Sequence, residues 1–337
     1  VEHGGQAVVA GDDRPVRDGT ADVGHEAGDD REIGRPADVG DRRDEDLPGL
    51  ERFGLFEGQH DPTAPLHPPA TDRLAEDHRV RLPVIINLDG FYLSFTREPV
   101  EIPDAQAVAG FLPPYEPEST RFCASAPVSQ AVTVLGGSPY SYFRYESHLA
   151  ALNALTVYDE AAKAFAAACG RQYAAVEGYR CDDADIVFVM LGSFASKARE
   201  AVDRLRDAGQ AIGLVRPRLL RPFPAAHLRR LLAGKQGAAV IDQNLSMGMG
   251  GVLHSELSSA LYGQTGAPPV LLSFIGGLGG RDITPEEFYE IEAVTRQAAK
   301  DGVTPPPRLL YSRDEDREIR KLQAIAHAER NELESGE

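Results

Sequence analysis

The chain has no tryptophan and only three cysteines and three methionines in 337 residues. Cys123, Cys169 and Cys181 lie far apart and form no C-x-x-C pair. That excludes a disulfide framework and favours a reducing, cytoplasmic setting. It also excludes an iron–sulfur cluster held by this chain alone, because such clusters take four clustered thiolates. No run of about 18 apolar residues occurs, so no transmembrane helix and no membrane partner are expected. The first residues show no basic-then-apolar pattern, so no secretory signal is expected either. Positive charge is scarce: the net charge is −17. Nucleic acid is therefore excluded as a partner, since phosphate binding needs a basic face. Of the 35 basic residues only five are lysine, the first being Lys163. That arginine bias points to a gene rich in G and C.

Acidity is uneven. Residues 1–80 hold 20 acidic and 9 basic side chains, a net of −11, which leaves −6 for the rest. The stretch 1–73 shows neither a helical nor a strand apolar period, and it has too few large apolar residues to offset its conformational entropy. Two readings stay open: a disordered acidic extension, or an out-of-frame translation of a G+C-rich gene. Order is expected to begin near Leu74. The apolar run Leu82–Leu88, ended by Asp89-Gly90, predicts a buried strand. Pro99, Pro103, Pro113 and Pro114 then forbid one continuous helix or central strand. Residues 116–145 read as a loop-rich connector, and 148–169 as an alanine-rich helix.

From Asp185 onward strands and helices alternate. Strands are predicted at 186–191, 211–215, 238–242 and 270–275, with helices following each. The helix of 195–208 ends at Gly209, and Thr284-Pro285-Glu286-Glu287 has the form of a capping box with proline at the first helical position. The expected fold class is α/β, a parallel β-sheet flanked by helices.

Two glycine clusters, Gly248–Gly251 and Gly276–Gly280, stand between strand and helix, where backbone amides can cradle phosphate. Neither has G-x-G-x-x-G or P-loop spacing, so tight turns and close packing are the simpler reading. No nucleophile elbow is present, which leaves a hydrolase triad unsupported. His148, His227 and His254 read as surface or capping residues. The pairs Asp182-Asp183 and Glu286-Glu287 read as helix-start or solvent carboxylates. The residues taken by themselves nominate no catalytic, cofactor-binding or metal-binding side chain.

A series of motifs in one order says more: LPVIINLDGFYLS over 82–94, EPVEIP over 98–103, FLPPY over 111–115, FRYE over 143–146, VEGYR over 176–180, DAD over 183–185, LGS over 191–193, LRPFP over 220–224, VID over 240–242, MGG over 249–251 and FIGGLGGRD over 274–282. This series, spread over roughly 74–295, resembles the α subunit of the 2-oxoacid:ferredoxin oxidoreductases, most closely the pyruvate-specific ones. The resemblance implies this layout: 1–73, the unmatched acidic segment; 74–115, a remnant of the thiamine pyrimidine-binding domain; 116–184, a connector with a helix; 185–300, a transketolase C-terminal-like domain II; 301–337, a C-terminal extension.

It also implies the family's chemistry. Thiamine diphosphate attacks pyruvate, carbon dioxide leaves, electrons pass singly to iron–sulfur clusters and ferredoxin, and coenzyme A takes the acetyl group. Thiamine diphosphate, magnesium and the clusters would belong to the assembled enzyme. The implied partners are a β-type, thiamine diphosphate-binding subunit and iron–sulfur subunits, with ferredoxin and coenzyme A met through the complex. The family's pyrimidine-side glutamate should precede residue 74, and residues 1–73 carry no matching motif. The chain is thus expected to be inactive alone, and inactive within the complex too unless the segment before residue 74 is repaired. Two alternatives are a non-catalytic partner-binding protein that keeps domain II and a subunit for another 2-oxoacid. A flavin or nucleotide enzyme built on the glycine turns is a more distant reading.

Overall fold

The computed structural model describes residues 68–335, except 88, 91–94, 96, 98–102, 113, 115–122 and 128–136. The acidic stretch before Pro68, with both readings of it, lies outside the described residues. Helix α1 covers Pro68–Glu76, α2 Ala105–Phe111 and α3 Gly137–Cys169. The alternating part then runs β1 Val176–Tyr179, β2 Ile186–Met190, α4 Phe194–Asp207, β3 Ile212–Pro217, α5 Ala225–Leu232, β4 Gly237–Asp242, α6 Val252–Leu261, β5 Leu271–Ile275, α7 Pro285–Asp301, β6 Arg308–Leu309 and α8 Arg313–Ser335.

The strands form one sheet in the order β1-β3-β2-β4-β5-β6. Every pairing is parallel except β1 with β3, where Val176 faces Pro217 in antiparallel register. The expected α/β sheet is therefore present, and its strand and helix positions match the periodicity closely. β1 and β6 escaped the sequence reading because one is a four-residue edge strand and the other has two residues, too short for a period to register.

Strand alternation divides the core in two. Ile186, Phe188 and Met190 of β2, with Ala239 and Ile241 of β4, meet Phe194, Ala198 and Val202 of α4 and Phe288 and Ile291 of α7. Val187 and Val189, with Ala238 and Val240, meet Leu228 and Leu232 of α5 and Leu253 and Leu257 of α6. Covering both faces is what lets these strands be continuously apolar. α7 starts as its sequence dictates: Thr284 Oγ1 accepts from Glu287 N, the Glu287 carboxylate accepts from Thr284 N, and Pro285 opens the helix.

Helices α1, α2 and α3 form a smaller assembly. Leu74 and Val80 pack with Ala154, Val157, Tyr158 and Ala162 of α3 and with Ala175. Phe111 of α2 meets Phe165 edge-to-face, with centroids 5.3 Å apart. Burial pushes the Tyr158 phenol up to about 12.

Leu74, near which order is expected to begin, lies inside α1, and its side chain is the buried anchor of that helix. Two expectations need correction. α3 starts at Gly137, inside the stretch read as loop; its first turns are Tyr- and Ser-rich and exposed, so they show no apolar stripe. Lastly, residues 82–87 form no strand: Ile85 is 82% exposed and Ile86 47%. An apolar run becomes a buried strand only when neighbouring strands satisfy its backbone, and no strand among the described residues pairs with it.

Candidate functional site

In the parallel sheet, β2 connects through α4 to β3 on one side, and β3 connects through α5 back across β2 to β4. The connections diverge at the carboxyl ends of β2 and β4, the position at which open α/β sheets commonly place ligands. Three turns meet this edge: Leu191–Ser193 after β2, Gln243–Gly251 after β4 and Gly276–Arg281 after β5.

Asp242 organises the middle turn. It is the last residue of β4, its side chain is buried, and its carboxylate accepts from Leu253 N at 2.8 Å and His254 N at 3.1 Å. These are orphan donors of α6's first turn. Burial raises the Asp242 carboxyl above the usual carboxylate range, against the lowering pull of those backbone donors. Gly251 makes this approach possible, since a β-carbon there would stand 2.0 Å from Asp242 Oδ2. Asn244 Oδ1 adds an acceptor for Val252 N at 3.1 Å.

The β2 turn is fixed similarly. Gly192 adopts φ +75°, and the Asp89 carboxylate accepts from Ser193 N at 2.5 Å at the head of α4. A β-carbon on Gly192 would meet Asp89 Oδ2 at 2.8 Å, and Arg216 donates to Gly192 O at 3.1 Å. In the third turn a β-carbon on Gly276 would lie 2.7 Å from Leu310 Cδ1. Arg281 then bridges two elements, donating to both oxygens of Glu287 in α7 and both of Glu315 in α8. Its guanidinium holds Glu315 down at about 2. Lys197 of α4 pairs with Asp282 beside it.

Gly251 and Gly276 thus serve close packing, in keeping with the simpler of the two readings of the glycine clusters. His148 lies exposed on α3. His227 Nε2 is 3.2 Å from Asp159 Oδ2 and ties α5 to α3. His254 Nε2 lies 3.3 Å from Leu271 O. Of the paired carboxylates, Glu287 closes the α7 box and Asp183 pairs with Arg206. The structure does not bring the three histidines together. Sequence reasoning missed Asp89, Asp242 and Arg281 as organising residues. The signal available was their place inside the quoted motifs, each beside a glycine or at a strand end.

Among the described residues the donor set fits neither a cluster nor a metal. Cys181 is buried, Cys169 half-buried and Cys123 exposed, each in a different part of the chain. No group of three His, Cys, Asp or Glu among the described residues could hold a metal ion. The segment expected to carry the thiamine-side glutamate lies largely outside the described residues. Among the described residues, no helix is long and apolar enough to cross a membrane.

Fold and site together define an open α/β sheet domain whose loop edge is braced by buried carboxylate and arginine contacts. Residues 184–288 match the family described as pyruvate:ferredoxin oxidoreductase core domain II. The chain is 37% identical over 235 residues to pyruvate synthase subunit PorA of Pyrococcus abyssi, an alignment covering 70% of this chain and 59% of that protein. It is 39% identical over 219 residues to the subunit of the same name from Methanothermobacter thermautotrophicus, covering 65% of this chain and 55% of the relative. Ketoisovalerate oxidoreductase subunit VorA of Pyrococcus horikoshii is 34% identical over 224 residues, covering 66% and 56%. The chain spans between about half and three-fifths of the length of these relatives.

Proposed function

We propose that this chain serves as an α-type subunit of a pyruvate:ferredoxin oxidoreductase, in which it contributes domain II and the connector that joins it to the thiamine-binding part. The observation that carries this reading is the 37% identity to a pyruvate synthase subunit over 235 residues, which extends well beyond the matched domain at 184–288. The described residues supply no cluster or metal ligand set. The reading therefore assigns thiamine diphosphate, magnesium and the iron–sulfur clusters to partner chains, along with contact to ferredoxin and coenzyme A. In this view Asp242, Arg281 and the glycine turns shape a rigid docking body and do not act on substrate. The three separated free thiols support a reducing, cytoplasmic setting.

Co-expression with β-type and iron–sulfur subunits tests it. The expected result is a purified complex containing this chain. With an α-side pyrimidine-binding segment, which residues 1–73 do not match, supplied in their place, it should reduce methyl viologen when given pyruvate and coenzyme A, while the chain alone reduces none. A complex that forms but stays inactive with every 2-oxoacid would favour the non-catalytic partner-binding reading. The likeness to a ketoisovalerate subunit gives the second substrate to assay, and faster turnover of ketoisovalerate than pyruvate would reassign the enzyme to branched-chain 2-oxoacids.

A further inference from the structure

The three methionines divide sharply by environment. Met190 ends β2 and is 0% exposed, sealed in the sheet core with Phe188 and Phe194. Met247 is 86% exposed and Met249 69%, and both stand on the turn between β4 and α6.

That turn is not a loose loop. Ser246 and Gly250 form an antiparallel bridge, with Ser246 N donating to Gly250 O at 2.8 Å and Gly250 N to Ser246 O at 3.0 Å. Met249 N donates to Ser246 O at 2.9 Å. Gly248 at φ +79° and Gly250 at φ +113° supply the conformations that the reversal needs. A β-carbon on Gly250 would lie 3.5 Å from Pro307, and Asp242 and Asn244 anchor the end of the turn to the head of α6. The backbone is thus fixed by bonds that do not involve the thioether side chains, while both thioethers stand in solvent.

We propose that Met247 and Met249 form a peroxide-reactive modification site, oxidised to sulfoxides and reducible again, with the fold kept throughout. The oxidant is hydrogen peroxide. The sulfur lone pair attacks one peroxide oxygen, an S–O bond forms and the O–O bond breaks. The leaving hydroxide takes the proton from the transferred oxygen and departs as water. Sulfur loses two electrons and the peroxide gains them. Each event replaces an apolar tip with a polar, chiral sulfoxide, so the exposed knob at the sheet's loop edge changes from apolar to polar. Access selects the site, because the buried Met190 sulfur cannot meet the oxidant without opening the core.

The test uses the full chain, with exposed thiols first blocked by a maleimide and then graded hydrogen peroxide. Peptide mass mapping should show residues 247 and 249 gaining one oxygen each at least about tenfold faster than Met190. The treated protein should elute earlier on a hydrophobic-interaction column, and its thermal midpoint should stay within about 1 °C. Treatment with methionine sulfoxide reductases specific for the two sulfoxide epimers should restore the retention time. A Met247→Leu/Met249→Leu variant should fold and show no peroxide-induced shift. Oxidation of Met190 at a matching rate would overturn the proposal, as would loss of fold on oxidation, failure of the reductases to restore retention, or a persisting shift in the double variant.

Discussion

Two apolar runs in this chain resemble each other and end in opposite places. Ile186–Met190 lies between β3 and β4 with every residue buried. Residues 82–87, equally rich in Val, Ile and Leu, hold Ile85 and Ile86 out in solvent. The difference lies outside the runs themselves. The first is flanked in sequence by units that return as parallel neighbours and by helices that cover both faces. The second is followed by a proline-broken stretch, and among the described residues no strand pairs with it. Hydrophobicity sets how much a segment gains from burial, and topology decides whether burial is on offer.

Substitutions can break or sharpen that contrast. Phe188→Ala should have the largest effect, lowering stability by about 3–5 kcal/mol in denaturant unfolding, because Phe188 is fully buried and tilted against Phe288 at 5.8 Å. A loss under about 1 kcal/mol would mean that the two-faced core is looser than described. Gly251→Ala should follow, at about 1–3 kcal/mol, because the added methyl would collide with the Asp242 carboxylate. Heat denaturation of the variant, with an unchanged midpoint, would show that the turn gives way easily.

The Arg281 clamp should show itself locally and through pH. The Glu315 carboxyl is held down at about 2 by Arg281, below its ordinary value near 4.5. Its folded pKa is depressed, so its contribution is present above the unfolded value and is lost as pH falls through the folded one. Pepsin cleavage within α8 should therefore rise steeply as pH drops from about 4.5 to 2. In Arg281→Ala that helix should already exchange its amides rapidly at pH 7. Equal amide protection of α8 in variant and parent would remove Arg281 from this role. The smallest effect belongs to Ile85→Ser, expected within about 0.5 kcal/mol of the parent. A loss above about 2 kcal/mol there would mean that Ile85 is buried in solution and would dissolve the contrast.

Most of the sheet was legible beforehand because its signals are local: apolar strands of five or six residues, a capping box at Thr284, and glycine after α4. The family motifs sharpened the functional reading where periodicity was silent. What stayed hidden depends on residues distant in sequence. Asp89 reaches Ser193 and Arg281 reaches Glu315, and neither pairing leaves a trace in spacing. The first turns of α3 were hidden for a different reason: they bury nothing, so no apolar stripe announces them.

That last feature has a mechanical side. At about 1.5 Å per residue, a helix of 33 residues is roughly 50 Å long. Its buried side chains run from Ala154 to Phe165, so about half its length, near 25 Å, carries no buried side chain. A tilt of about 5° at the seat would swing the free tip by roughly 2 Å. Geometrically the helix has a lever's proportions, a long arm seated in the small core where Phe165 meets Phe111.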